Sequence, residues 1–367
     1  MGAGYCFGEK AVEAKNINEG GLDLEKKPEE EVKVEPQSET LEPVFKMLVD
    51  PHEALTMQSG IRGYLVRKEI RKPLAEVKEV KTWQKLADKY PKLGKPLTEI
   101  QSSFVGDLEK KLVPLDIQRP DDGVAVKEMP AVQLDDGTVY EGEWDKHGNK
   151  HGLGTLVKED GSKIVGCFKG GQLEGKGRMI ESSGLVFEGE FKNGAMNGAG
   201  TVQNKSGGKF DGELADGKLH GKGTEQWPDG TKYKGGYQHG LRHGKGVLEM
   251  PDGTTYKGEF SNDKMHGSGK LVYKNGNSYD GEFKDNMMHG LGTFKWADGR
   301  VYEGNFKKDQ KHGKGKMTWP DDKIYDGDWK DNKQHGEAEY TFQKKDKEMT
   351  TRKSKWENGS RVEWLDS

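Results

Sequence analysis

The stretch that decides the fold is residues 256–278, which read YKGEFSNDKMHGSGKLVYKNGNS. Tyr256, Gly258 and Phe260 alternate with charged residues, and this period of two is typical of a strand with one buried face. A second alternating run, residues 270–273, is followed by Asn275-Gly276, a dipeptide that favours a tight hairpin turn. The stretch is therefore predicted to form two antiparallel strands.

The same unit recurs along most of the chain. Its opening residue advances by 23 positions each time from Ile164 onward, and by 24 in the first interval. A second recurring position, occupied mostly by the dipeptide His-Gly, keeps the 23-residue spacing from His151 to His335. Nine units in constant register predict a stack of identical hairpins. The opening residues are Tyr140, Ile164, Phe187, Phe210, Tyr233, Tyr256, Tyr279, Tyr302 and Tyr325.

These units resemble MORN repeats, a family of short β-hairpins, and the resemblance covers about two thirds of the chain. It implies a mainly β fold, an elongated single-layer antiparallel sheet of stacked hairpins, preceded by a partly disordered, helical N-terminal region. The glycine between the two aromatic residues of each unit is expected to leave room for a ring from the next strand. By this resemblance the chain is expected to be a scaffold that contacts membrane lipids, cytoskeletal proteins or a second copy of itself.

Composition agrees with a thin repeat architecture. Apolar residues make up 31% of the 367 positions and 53 are glycine, which is low for an ordinary globular core, while 8 tryptophans and 12 tyrosines argue against disorder. The net charge of −3 gives no global field to attract nucleic acid. Two distant cysteines and the absence of any apolar run near ~20 residues indicate a cytoplasmic protein.

An apolar stripe is predicted to be the partner groove. It consists of one residue from each later repeat, whereas the equivalent earlier residues are Lys158, Glu181 and Asn204. Large apolar strips often mark protein-docking or self-pairing surfaces. The alternative is that the rings only stack on their neighbours within the sheet. The stripe residues are Trp227, Met250, Tyr273, Trp296, Trp319 and Phe342.

The histidine column is predicted to be structural rather than metal-binding. Equivalent residues two strands apart lie ~9.6 Å from each other, whereas the ligands of one zinc ion lie within about 3.5 Å. Glu141 and Glu143 are interpreted as a solvated charged surface rather than an acid/base pair. The sequence therefore predicts no catalytic residue, no metal, no cofactor and no enzyme activity.

Five segments are predicted: an acylation-like N-terminus and flexible linker over 1–49, an IQ-like helix over 50–73, a helical connection over 74–130, the repeat array over 131–345 and a closing hairpin over 346–367. Residues 74–90 and 98–112 are expected to form helices, the second with a capping box from Thr98 to Gln101. These helices are expected to cover the open first edge of the sheet or to bind a partner.

Residues 57–68 resemble the IQ motif, which is bound by calmodulin and related EF-hand proteins. An apolar helical stripe runs beside several basic residues, a combination that suits an acidic EF-hand lobe. The alternative is a basic amphipathic helix that packs on the sheet or lies on a membrane. The residues that carry the match are Met57, in place of the usual isoleucine, Gln58, Ile61, Arg62, Gly63, Leu65, Arg67 and Lys68.

The N-terminus resembles a myristoylation signal. Gly2 follows Met1, and Cys6 stands where serine or threonine is usual. Palmitate on Cys6 would add the second lipid that stable anchoring requires. The alternative is an unmodified N-terminus.

The function predicted is a scaffold at the membrane cortex or cytoskeleton, including the cilium or flagellum, that binds calmodulin or a related EF-hand protein. One alternative is an axonemal component, similar to radial-spoke proteins, without a membrane anchor. Another is a regulatory subunit of a lipid-kinase-type assembly, because MORN repeats precede such catalytic domains.

Overall fold

The computed structural model describes residues 88–90, 92–119, 121–344 and 348–366. The repeats form one open antiparallel sheet of 21 strands, each paired with the strand that follows it in sequence. The predicted mainly β, single-sheet fold class is therefore confirmed. The predicted IQ-like helix and the N-terminal acylation site lie outside the described residues.

Strands alternate between seven-residue and nine-residue segments through most of the array. The shorter strand of each repeat carries the aromatic-glycine-aromatic unit. The strands are β1 Val126–Gln133, β2 Val139–Asp145, β3 Lys150–Val157, β4 Lys163–Lys169, β5 Gln172–Ile180, β6 Val186–Lys192, β7 Ala195–Gln203, β8 Lys209–Ala215, β9 Lys218–Gln226, β10 Lys232–Gln238, β11 Leu241–Glu249, β12 Thr255–Ser261, β13 Lys264–Val272, β14 Ser278–Lys284, β15 Met287–Lys295, β16 Val301–Lys307, β17 Gln310–Thr318, β18 Ile324–Lys330, β19 Lys333–Gln343, β20 Met349–Glu357 and β21 Ser360–Trp364.

The two faces of the sheet differ because side chains alternate along each strand. The aromatic face carries residues such as Tyr256, Phe260 and Leu271, which are buried. The charged face carries the residues between them, such as Lys257 and Glu259, which are exposed. This pattern continues from repeat to repeat, so the buried core is a line of rings along one face.

The tyrosines that open a repeat lie over two glycines, except Tyr325, where Ala338 pairs with Gly327 in place of the second glycine. The Tyr256 hydroxyl donates a hydrogen bond to the Glu259 carbonyl at 2.9 Å. A Cβ atom added to Gly258, or to Gly269 on the paired strand, would overlap the Tyr256 ring. The gap is therefore filled by the ring two residues earlier on the same strand, and the expectation that a ring from the next strand fills it is wrong. The side chain folds along its own strand because the paired glycines leave a flat surface beneath it.

Neighbouring rings of the core meet edge to face. Tyr256 lies 5.2 Å from Phe260 and 5.0 Å from Phe283, with interplanar angles of 86° and 80°. Tyr279 repeats this arrangement with Phe283 and Phe306 at 5.1 and 5.0 Å. Edge-to-face contact is the favoured geometry for aromatic pairs. Each repeat thus holds the next through one shared ring.

Asparagine and aspartate side chains form hydrogen bonds between consecutive repeats along one margin of the sheet. Asn286 accepts a hydrogen bond from the Met265 amide at 2.7 Å, and Asp309 accepts one from the Met288 amide at 2.7 Å. Both residues have positive φ, 73° and 64° respectively. Asparagine and aspartate tolerate this conformation better than other residues with a Cβ atom. At the loops that carry these residues, the side chain therefore adds a hydrogen bond between one repeat and the next.

Among the described residues before the sheet are a 3-10 turn at Leu97–Glu99 and a helix, α1, at Ser103–Glu109. Of the helix predicted over residues 74–90, only 88–90 are described, and residues 88 and 89 are helical. Helix α1 was expected to begin at Thr98, with Gln101 completing a capping box, and this expectation is wrong. The N-cap is Ser102, whose hydroxyl accepts a hydrogen bond from the Val105 amide at 3.2 Å. Ser102 is extended, which separates the helix from the turn before it.

Helix α1 lies on the charged face of the first repeats rather than on the sheet edge. Val105 is fully buried against Ile180 and Val186, and Glu109 forms an ion pair with Lys163 at 2.7 Å. The edge strand β1 is instead contacted by Leu93, whose amide donates a hydrogen bond to the Ala131 carbonyl of β1 at 2.8 Å. The helix lies where it does because β-branched residues replace the usual polar ones on this part of the charged face.

Candidate partner-binding surface

The stripe residues from Trp227 to Trp319 occupy one structural position, the residue that opens the turn between repeats, whereas Phe342 lies within β19 and pairs with Thr350. The Gly299 amide donates to the Trp296 carbonyl at 3.0 Å, and the Gly276 amide donates to the Tyr273 carbonyl at 3.0 Å. The side chains from Trp227 to Trp319 project from the aromatic face near the sheet margin and belong to the main core or pack against it. The repeat therefore brings these residues into one line, with a turn beside each.

Burial divides the stripe into two parts. Trp227 and Met250 are buried, with 5% and 9% of their surface exposed. The remaining members are partly buried, so each keeps a portion of its ring at the surface. These are Tyr273, Trp296, Trp319 and Phe342.

Rings of the exposed part also stack on their neighbours. Trp296 lies 4.5 Å from Phe294, and Phe342 lies 5.3 Å from Trp364. Trp364 belongs to the last strand, so the line of rings continues to the end of the sheet. These contacts account for the stacking interpretation, and the partly exposed edges leave the docking interpretation open.

Basic side chains lie over the rings of the stripe. The Lys311 ammonium is 5.4 Å from the Trp296 ring centre, and the Arg300 guanidinium is 5.1 Å from it. Near the end of the sheet, Arg361 lies 4.0 Å from the Trp364 ring centre. Cations at these distances are attracted to the negative faces of aromatic rings. The later repeats therefore present an aromatic surface with positive charge along it.

The early repeats are different at the stripe position. Glu181 and Asn204 are buried, and the Asn204 side chain accepts a hydrogen bond from the Gly208 amide at 2.7 Å. Without a large ring at this position, the aromatic face opens into a shallow depression of about 330 Å³. Its apolar lining is formed by Leu156, Ile164, Phe168, Leu173 and Met179.

A buried charged cluster interrupts the aromatic face at β9 to β11. Glu225 occupies a position that holds an apolar residue or tyrosine in the other repeats, and its carboxylate accepts a hydrogen bond from the Tyr237 hydroxyl at 3.0 Å. Burial raises the pKa of Glu225 to about 7, although nearby Arg242 acts in the opposite direction. Arg242 in turn forms an ion pair with Asp263 at 3.3 Å.

The sequence interpretation did not identify the Glu225 cluster. Its signal is a departure from the repeat, since Glu225 and Arg242 replace residues that are apolar at most equivalent positions. Their charges lie 17 positions apart and meet only when β9, β10 and β11 pair. Comparison of equivalent positions in the repeats would have identified both residues, although not the electrostatic interaction between them.

Glu143 also differs from the sequence interpretation. It was interpreted as part of a solvated surface, but its side chain is only 19% exposed. The carboxylate accepts a hydrogen bond from the Leu153 amide at 2.7 Å. Its carboxylate lies over Gly152, where a Cβ atom would collide with it. Glu143 therefore closes the irregular pairing between β2 and β3.

Two groups of predicted site residues precede the described part of the chain. The IQ-like residues Met57 to Lys68 and the acylation residues Gly2 and Cys6 lie outside the described residues. Within the described residues, no group of three or more histidine, cysteine or acidic side chains is arranged to hold a metal ion. In that same part of the chain, no helix has the length and apolar character needed to cross a bilayer.

Comparison with known proteins identifies the repeats. A family model described as MORN repeat matches residues 140–163, 165–185, 187–209, 210–232, 233–255, 256–278, 279–299, 302–323 and 325–347. The comparison with curated proteins gives no match.

Two solved structures with weak overall similarity are TCP-type domains. One is the SAS-4 (dCPAP) TCP domain of Drosophila melanogaster, in complex with a proline-rich motif of Ana2 (dSTIL), at 13% identity and a TM-score of 0.20. The other is the TCP10 domain of Danio rerio CPAP, at 11% identity and a TM-score of 0.26. The matches cover 59% and 65% of this chain and 99% of each of those chains.

Proposed function

The chain belongs to the MORN-repeat family, and from that premise we propose that it is a non-enzymatic scaffold for proteins of the membrane cortex or cytoskeleton, including ciliary proteins. The observation that carries this proposal is the partly exposed stripe of Tyr273, Trp296, Trp319 and Phe342. An extended row of rings offers several contact points to a protein but no enclosed site for a small substrate.

The composition of this surface supports protein docking. Tryptophan, tyrosine and arginine are the residues that most often contribute large binding energies at protein interfaces. Here Trp296 and Arg300 lie side by side, and Lys311 adds a second positive charge. The partner segment would carry apolar side chains for the ring edges and carboxylates for the cations. The early repeats, whose stripe position is polar, would not bind the same segment.

Replacing Trp319 by alanine is expected to remove partners that dock on the stripe. Loss of a tryptophan at a protein interface costs about 2 kcal/mol or more, which is about a 30-fold loss of affinity. Proximity labelling in cells, with quantitative mass spectrometry, would compare the full-length variant with the wild type. Lys274→Ala, an exposed change in a turn of the same repeat array, is the matched control.

The partner set should shrink for Trp319→Ala and stay unchanged for Lys274→Ala. Circular dichroism and thermal unfolding of the purified variants would show that both are folded. If a folded Trp319→Ala variant keeps every wild-type partner, the stripe is a packing feature and the docking proposal fails.

The proposed scaffold also recruits calmodulin or a related EF-hand protein through residues 50–72. The proposal rests on the IQ-like pattern, in which Arg62 and Arg67 offer positive charge to an acidic lobe. Acylation of Gly2 and Cys6 would bring this complex to a membrane. The scaffold and its EF-hand partner would then be held at the same place in the cell.

Replacing Arg62 and Arg67 together by alanine is expected to weaken calmodulin binding by about 30-fold, since charge-assisted hydrogen bonds contribute about 1–2 kcal/mol each. Isothermal titration calorimetry of the full-length protein, with and without calcium, measures this effect. Lys78→Ala combined with Lys81→Ala removes the same charge outside the motif and should leave the affinity unchanged. Equal affinities for both double variants, or no binding by the wild type in either calcium state, would contradict the assignment.

A further inference from the structure

The described part of the chain begins on the aromatic face, beside the shallow depression of the early repeats. Tyr90 stacks on Trp144 with ring centres 5.5 Å apart and packs against the main core. Leu97 is instead buried on the opposite face, together with Val139 and Val157. The chain therefore passes around the edge strand β1 between Tyr90 and Leu97. The residues that precede Tyr90 thus connect to the sheet on its aromatic face.

Two rings are missing from the aromatic face around β4. Ile164 on β4 stands where a tyrosine or phenylalanine opens each of the other repeats. Lys158, just before β4, stands at the stripe position that holds tryptophan in several later repeats. Phe168 meets the Tyr140 ring at 5.2 Å, but Ile164 offers it no ring on its own strand. The depression of about 330 Å³ lies over these residues and has room for an aromatic side chain from elsewhere.

The residues just before the described part carry such a side chain at a fitting distance. Residues 88 and 89 are helical, and continuing that helix toward the N-terminus would place Trp83 and Leu86 on the same face as Tyr90. At a rise of ~1.5 Å per residue, Trp83 would lie ~10 Å from Tyr90 along the helix. Strand β4 also lies ~10 Å from β2, which carries Trp144. A helix that crosses the strands would therefore set Trp83 over β4.

The remaining residues of the segment suit a helix that lies on a surface. Val80 and Ala87 fall on the same helical face as Trp83, whereas Lys81 and Lys85 fall on the opposite face. One face is thus apolar and the other is basic over residues 80–87. A helix of this kind buries its apolar face against a protein surface and leaves its charges in water.

We propose that residues 80–87 dock as a helix in the shallow depression, with Trp83 in the place of the rings that Lys158 and Ile164 do not provide. The occupant is the chain's own segment because Tyr90, fixed on Trp144, holds it beside the site. A short tether gives an effective concentration of about a millimolar or more. A free peptide of the same apolar pattern would therefore compete poorly.

This docking goes beyond the scaffold role, because it gives the two parts of the aromatic face different uses. The stripe of the later repeats stays available to partners, whereas the depression of the early repeats is occupied from within. A partner that uses the depression must first displace residues 80–87. The proposal depends neither on the stripe nor on an EF-hand partner.

Docking also determines where the IQ-like residues lie. Residues 73–79 separate them from the docked segment, and seven residues reach at most ~25 Å when fully extended. A protein bound to residues 50–72 would therefore be held at the first repeats rather than along the stripe.

Hydrogen exchange of the full-length protein tests the docking. The amides of residues 80–87 should exchange at least about 10-fold more slowly than those of an unfolded chain. Trp83→Ser combined with Leu86→Ser should remove this protection, because the apolar face is lost. Lys81→Ser combined with Lys85→Ser is the matched control, since it makes two serine changes on the opposite face, and it should keep the protection.

A change on the sheet tests whether the depression is the site. Lys158→Trp supplies a ring from the stripe position, as Trp296 does in its own repeat. Exchange of residues 80–87 should become about 10-fold faster, while β3 to β5 stay protected. This variant leaves the sequence of the segment intact, so a change in its intrinsic helix propensity cannot explain the effect.

Crosslinking separates docking within one chain from docking between two copies. Gln84→Cys with Lys158→Cys, in a Cys6→Ser background, should be joined within one chain by a short bismaleimide. Cys167 can stay because it is buried. Gln84→Cys with Lys274→Cys, an exposed position in a distant repeat, is the control and should not be joined.

Four outcomes would overturn the proposal. They are fast exchange of residues 80–87 in the wild type, equal protection in the two serine variants, protection that Lys158→Trp does not change, and a crosslink that forms only between copies. Trp319→Ala, on the stripe, should alter none of these measurements, so the docking proposal for the stripe stands or fails separately.

Discussion

The variant Gly269→Ala is expected to lose about 3 kcal/mol of stability in its region of the sheet. The added Cβ atom would overlap the Tyr256 ring, which is fully buried. Gly269 does not have the positive φ that only glycine adopts easily, so the loss comes from the ring and not from the backbone. Displacing a buried aromatic side chain costs about 3–5 kcal/mol, and in the part of the chain that the structure describes no second layer lies over Tyr256 to rearrange around it.

The effect should be local at first. Tyr256 contacts Phe260 and Phe283, so β12 to β14 would open before distant repeats. Hydrogen exchange of the backbone amides measures this opening strand by strand, whereas a global denaturation curve would average over the repeats. Fast exchange confined to these strands is the expected result.

A double variant identifies the ring as the cause. With Tyr256→Leu in place, Gly269→Ala should cost much less than it does alone, because the overlapping ring is absent. Gly94→Ala serves as a control, since nothing lies within 4 Å of the Cβ atom it would add. Equal costs of Gly269→Ala with and without the Tyr256 ring would show that the glycine is required for another reason.

The second large effect concerns Glu225→Met, which is expected to stabilise the protein at pH 8 by up to about 3 kcal/mol. The carboxyl is buried among Tyr233, Tyr237, Arg242 and, farther away, Asp263. Burial raises its pKa from the usual 4.5 to about 7. The folded protein therefore prefers the protonated form, and ionisation of this group above neutral pH opposes folding.

The sign of the pH dependence follows from the raised pKa. Between about pH 4.5 and pH 7 the folded state binds this proton more tightly than the unfolded state, so the contribution of Glu225 to stability falls as pH rises. The full contribution is present below pH 4.5 and is lost above pH 7. Methionine, which other repeats use on the aromatic face, has no such proton and should remove this part of the pH dependence.

Denaturant unfolding of the wild type and of Glu225→Met between pH 4 and pH 8.5 measures the effect. The difference between the two proteins should be smallest at acidic pH and grow toward pH 8. Glu249→Met, an exposed change two strands away on β11, controls for the loss of a carboxylate. A difference that does not vary with pH would show that Glu225 stays ionised when the protein is folded.

The two effects have a common origin in the single-layer sheet. Each core ring packs mainly against rings of its own repeat and of the neighbouring repeat. A change in size, as at Gly269, or in charge, as at Glu225, therefore acts directly on the contact between repeats. The same thinness leaves most of the aromatic face, and the charged face beyond the repeats that α1 covers, without a second layer among the described residues.

Much of the fold could be predicted from the periodicity alone. Alternation around Tyr256 and Phe260 indicates strands, Asn275-Gly276 indicates a hairpin turn, and the 23-residue step indicates a stack. These signals are local and recur along the repeat array. The start of α1 was predicted wrongly, because capping patterns at Thr98 and Ser102 compete and only the packing of Leu97 and Val105 decides between them.

The chain by itself determined the strands, their order and the position of the stripe, because all three follow from spacing along one repeat. Only the tertiary structure decided which ring lies over which glycine, which residues surround Glu225, and where α1 covers the sheet. These features depend on contacts across paired strands, where residues far apart in sequence become neighbours and their sizes and charges act on each other.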